Sequence, residues 1–169
     1  MQIKKLTTRI IAGIGFVLTS VAGCNAQDSI AVHPVVTGHT KVEHIENNDS
    51  HNWFNRNYNE YAYDSVTVRS IAPAAKSDYH FIVVAGTWCP DTHRELPKFY
   101  KIIDDAGFDR DKVKLFFVDH EFKSPEMSGK KYKIKHLPTF IVLKGDKEKG
   151  RIVEKPQHTL EKDLSLLLK

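Results

Sequence analysis

Sulfur is scarce in this chain. Its 169 residues hold two cysteines and two methionines. At most one intramolecular disulfide could form, which excludes a small scaffold stapled by several bridges. Cys89 has no second cysteine three residues on, where a dithiol motif would carry one; Thr92 stands there. Acid is missing from the start of the chain: Lys4, Lys5 and Arg9 come before any carboxylate, and the first is Asp28. Long apolar runs are missing too. Ile10 to Leu18 falls well short of the roughly 20 residues an ordinary spanning helix needs. No internal repeat is visible. The formal net charge is +4, but three of the basic residues sit in the first ten, so the remainder is close to neutral. That balance gives no reason to expect a nucleic-acid partner. Hydrophobic content of 41% is enough to bury a core, and the length suits one domain with extensions.

The N-terminus has the order of a secretory signal: basic residues, a short apolar run, then small residues. Val21-Ala22-Gly23-Cys24 resembles the bacterial lipobox. That resemblance implies a lipoprotein signal peptide over 1–23, cleavage before Cys24, and lipidation of Cys24. Acyl chains on one residue would anchor the protein to a membrane, in the bacterial cell envelope and facing the periplasm. An ordinary signal peptide or a single anchor helix, with Cys24 incidental, is the competing reading. With Cys24 lipidated, Cys89 is the one free thiol of the mature chain.

Residues 24–50 are rich in Asn, Asp, Ser, Thr, Gly and His with weak periodicity, and read as a flexible tether. Its histidines, His33, His39 and His44, with His51 just beyond, are loosely spaced and read as solvated rather than metal-binding. Over 51–63, Phe54, Tyr58 and Tyr61 share one helical face, an extension that packs its aromatics on the domain. Asp64 or Ser65 caps a second short helix with Val68, Ile71, Ala72 and Ala75 on one side and Pro73 kinking or ending it; a strand over 66–71 is the alternative. From Tyr79 the pattern sharpens. "HFIVVAG" reads as a strand buried on both faces. A helix over 90–105 follows, with Leu96, Phe99, Tyr100 and Ile103 inward and Gly107 as its stop. "KVKLFFVD" is a second strand. A polar loop over 120–133 leads to "PTFIVLKG", a charged turn over 144–150, "RIVEK", and a closing amphipathic helix with Leu160, Leu164, Leu167 and Leu168 inward and His158 or Thr159 near its cap. The first two strands, joined by a helix, should be parallel.

Residues 64–169 resemble the thioredoxin-like fold. The features that carry the resemblance are Trp88-Cys89-Pro90 after an apolar strand, Pro97 eight residues on, Asp119 ending "FFVD", Tyr132-x-Ile134-x-x-Leu137-Pro138-Thr139, Gly150 in a charged turn, and a closing helix. The resemblance implies an α/β fold with a central four-stranded mixed sheet flanked by helices. It also implies a cis Pro138 whose loop faces Cys89. Two departures bear on chemistry. Thr92 replaces the resolving cysteine, and Val83 stands where members often bury an acid.

A thiol at the exposed tip of a helix N-terminus meets unpaired N–H groups and the positive dipole end. Both should pull its pKa below the free value of about 8.5. The candidate catalytic residues are therefore Cys89, Thr92, Trp88 and Pro138, with Pro90, Asp91, His93, Arg94 and Leu137 as possible modulators. Several roles stay open at this level. Thr92 can donate to the thiolate or form an S/T-x-x-E capping box with Glu95. Trp88 can be a platform or a packing residue, His93 a modulator or a solvated helix residue. Asp91 would raise the thiol pKa if it points inward and not if it faces solvent. With one sulfur, Cys89 can form mixed disulfides with protein or small-molecule thiols and disulfides but cannot release itself by internal attack. Oxidation to a sulfenic acid ranks lower, because the T-x-x-C arrangement of peroxiredoxins is absent: Thr87 lies two residues before Cys89 and not three. No cofactor is called for. Two other readings compete: a redox-inactive binding module, and a copper or zinc site from Cys89, His93 and His136.

Overall fold

The computed structural model describes residues 35–126 and 131–169. The signal segment, Cys24 and His33 lie outside the described residues. Among those described, no helix is long and apolar enough to cross a membrane.

The centre of the molecule is a mixed five-stranded sheet in the order β1-β3-β2-β4-β5. β2 (Tyr79–Ala85) is the apolar run, and almost every residue of it is buried. It pairs in parallel with β3 (Val113–Phe117), Val83 opposite Leu115, and antiparallel with β4 (Thr139–Lys144), Val83 opposite Phe140. β4 turns through Gly145, at φ +55°, into β5 (Lys147–Val153). That turn is shorter than the expected 144–150 because a glycine at positive φ reverses the chain within two residues. Lys147, Glu148 and Lys149 are therefore strand residues, solvent-exposed on an outer strand.

The sheet has five strands and not four, and the fifth comes from the stretch expected to be a flexible tether. β1 (Gly38–Thr40) pairs antiparallel with β3, Gly38 opposite Phe117. α1 (Glu43–Glu46) and a 3-10 turn (Asp49–His51) follow it. Long-range contacts order this polar segment. Gly38 takes φ +106°, and the His39 N–H donates to Glu126 Oε2 at 3.0 Å. Arg110 reaches Glu43 and Glu46 on α1 while it holds both carboxylate oxygens of Asp104. Val42 and Ile45 are buried in the main core. His51 is also fully buried rather than solvated.

α2 (Trp53–Glu60) packs Trp53 and Phe54 against α4 (Pro90–Asp105), with the Phe54 and Tyr100 rings edge to face. α3 (Ser65–Ala75) is a helix and not a strand. Asp64 caps it by accepting the Val66 N–H, and Pro73 is accommodated inside its last turn. α5 (Leu160–Leu167) buries Leu160 and Leu164 and also two acids, Glu161 and Asp163. Glu161 accepts from the Tyr61 hydroxyl at 2.6 Å and from the Asp64 N–H at 3.1 Å, tying α5 to the link between α2 and α3.

Candidate functional site

Cys89 sits where β2 ends and α4 begins. Its backbone is extended (φ −90°, ψ 120°), it is the N-cap residue of the 16-residue α4, and Pro90 takes the first helical position. Proline suits that position because the missing N–H would lack an intrahelical partner anyway. The Cys89 N–H donates to Gly86 O at 3.0 Å, closing the turn that carries the thiol.

The thiol is not at an exposed tip. Cys89 is only 7% exposed and belongs to a small apolar cluster with Ile82, Val84, Val118, Leu137 and Ile141. The preceding residue and a distant loop cover it. Trp88 lies back over the strand end, its indole Nε1 donating to Val118 O at 3.0 Å. The 137–138 loop arrives from a distant part of the chain, with a cis Leu137–Pro138 peptide bond, and the Cys89 thiol donates to Leu137 O at 3.6 Å. Pro138 is itself buried, and its carbonyl accepts the Glu154 N–H at 2.8 Å.

Gly86 makes this packing possible. A Cβ there would lie 2.9 Å from Trp88 Cε2 and 3.2 Å from Leu137 Cδ1. The Gly86 N–H donates to Thr92 Oγ1 at 3.2 Å. Thr92, fully buried, thus braces the loop before Cys89. It does not form the expected capping box, since Cys89 and not Thr92 is the N-cap residue. Its hydroxyl oxygen accepts from the Gly86 N–H and makes no hydrogen bond with the sulfur.

The charged candidates turn elsewhere. Asp91 pairs with Arg94 at 2.5 Å, and Arg94 Nε also donates to Glu95 at 2.6 Å. These i,i+3 and neighbouring contacts occupy the acid and the base with each other. The His93 ring stacks on Trp53, with centroids 4.2 Å apart and planes 17° apart. Its Nε2 lies 2.6 Å from Thr87 O, so Nε2 carries the proton and donates. His136 is largely exposed and sits 3.5 Å from Glu154. Cys89, His93 and His136 therefore do not converge on a metal. Among the described residues no group of three or more His, Cys, Asp or Glu side chains could hold one.

Three features of the site escape a sequence reading. His120 stacks on Trp88 at 4.1 Å. Trp53 and Asn57, on α2, hold His93 through its ring and its carbonyl. Val36 donates its N–H to Thr87 Oγ1 at 3.2 Å. Only the histidine directly after "FFVD" stood close enough to a known motif to be noticed.

No protein-family model matches the chain, and no curated protein does. Among solved structures, it is similar to an HIV epitope-scaffold at 14% identity and TM-score 0.52, covering 79% of this chain and 83% of that one. It is also similar to a protein of unknown function from Pseudomonas aeruginosa at 16% identity and TM-score 0.47, covering 69% and 75%. The first of these likenesses supports the mixed α/β architecture and says nothing of activity.

Proposed function

We propose that this chain is a thioredoxin-like, membrane-tethered monothiol protein that exchanges disulfides through Cys89 in the bacterial cell envelope, with Cys24 as its lipid anchor. The observation that carries the reading is the placement of Cys89 at the N-cap of α4, its thiol against the carbonyl before a cis proline. In the reaction, the thiol loses its proton to solvent. The thiolate attacks one sulfur of a substrate disulfide, that S–S bond breaks, and a Cys89–substrate disulfide forms. The other sulfur leaves as a thiolate and takes up a proton. Release requires a second thiol from the substrate, a partner or a small molecule to attack the mixed disulfide, since no second cysteine stands on α4. Trp88 and Leu137 form the walls the substrate would meet.

The burial of Cys89 favours a second reading, a thioredoxin-like lipoprotein that binds a partner on this face without redox turnover. Alkylation of Cys89 across pH 5–9 decides between them. Exchange predicts modification faster than a peptide thiol near neutral pH. A rate equal to or below the peptide's rules exchange out and leaves the binding reading.

A further inference from the structure

The chain enters and leaves the described domain at opposite ends of β2. Entry is at the Cys89 end. The Val36 N–H bonds Thr87 Oγ1, two residues before the thiol, and β1 places Gly38 opposite Phe117, the last residue of β3. The exit is at the other end, where the Tyr79 hydroxyl, at the start of β2, donates to the Lys169 carbonyl. Seven strand residues, about 23 Å, separate the two.

Covalent geometry then limits where Cys89 can work. Eleven residues, Asn25 to Val35, join Cys24 to Val36. Fully extended they span at most about 40 Å. Thr87 to Cys89 adds only two residues, so the thiol stays within about 50 Å of an anchor at Cys24. Entry at the far end of β2 would have raised that limit to about 70 Å. Resting on the lipid-anchored exchange reading above, we infer that Cys89 serves the thiols or disulfides of proteins held in the same membrane, within about 50 Å of its surface. Confinement of both partners to one thin layer raises their effective concentration without any new contact.

The test uses the native lipidated protein in liposomes with a cystine peptide as probe. The peptide is displayed on rigid lipid-anchored spacers of about 20 Å or about 65 Å, and Cys89–peptide disulfide is measured by mass spectrometry. The expected result is at least a tenfold faster adduct on the short spacer. Inserting a 30-residue Gly/Ser segment after Ser29 should restore reaction at the long one, since it adds up to about 100 Å of reach. Equal rates on both spacers with the native chain would overturn the proposal. So would a long-spacer rate that the insertion leaves unchanged. The same peptide free in solution separates the two readings. If Cys89 reacts with it but ignores spacer height, the membrane inference alone fails. If Cys89 is inert to it, the exchange reading fails and takes the inference with it.

Discussion

His93 lies flat on Trp53 while its Nε2 donates to the carbonyl of Thr87, two residues ahead of Cys89. Through this pair the N-terminal extension holds the loop that presents the thiol. His93→Phe keeps a ring for Trp53 but removes the donor to Thr87. The expected loss is about 1 kcal/mol in urea unfolding, with faster Cys89 alkylation as the loop loosens. Trp53→Ala should cost about 3–5 kcal/mol, because it empties a buried site.

Gly86→Ala brings a Cβ to 2.9 Å from the Trp88 ring. The indole or the Leu137 side chain must shift, at about 1–3 kcal/mol. Trp88 fluorescence should change together with the unfolding midpoint. An unchanged spectrum with unchanged stability would show that Trp88 does not lie against the strand end.

Cys89→Ala removes a small buried group, at a cost of about 1 kcal/mol. All disulfide-linked adducts should vanish in a trapping experiment. With the wild type, adducts should persist on non-reducing gels because nothing within α4 can release them. Adducts that survive Cys89→Ala would place the exchange elsewhere.

Acid should unfold the protein partly through Glu161. Burial pushes its carboxyl up, but the hydrogen bonds from Tyr61 and the Asp64 N–H outweigh that and hold it below the ordinary range. A carboxyl depressed in the folded state contributes stability that is present above its unfolded value, about 4.3, and is lost as pH falls through the folded one. Tyr61→Phe removes one of those bonds, so the acid midpoint followed by circular dichroism should move to higher pH. A midpoint that stays put would show that Tyr61 does not set the Glu161 carboxyl.

Arg110→Met takes away the base that joins α1 to Asp104. As a partly exposed network it should contribute about 1–2 kcal/mol. Hydrogen exchange should rise first in β1 and α1, with the amides of β2 still protected. Uniform loss of protection would mean the N-terminal segment and the sheet unfold as one unit.

The parts of the fold legible in the sequence are those with strong local signals. The apolar run of β2, the inward stripe of α4 and the glycine after it mark their own elements. β1 carries no such signal. Its three residues, Gly-His-Thr, become a strand where Glu126 and the open edge of β3 receive them, while Arg110 holds the α1 that follows. The site divides the same way. Trp88-Cys89-Pro90 announces a helix-tip thiol, yet its burial depends on Leu137, 48 residues away. Local spacing gave Thr92 a capping partner in Glu95. The real hydrogen bond is set by how far the strand end folds back, which no periodicity encodes.

The outer strands carry a last consequence. β1 is only three residues long, and its His39 N–H is taken by Glu126; β5 presents Lys147, Glu148 and Lys149 to solvent. Neither offers an inviting template for a neighbour's strand. Copies of this domain at high concentration should therefore stay separate molecules rather than stitch into fibrils through their sheet edges.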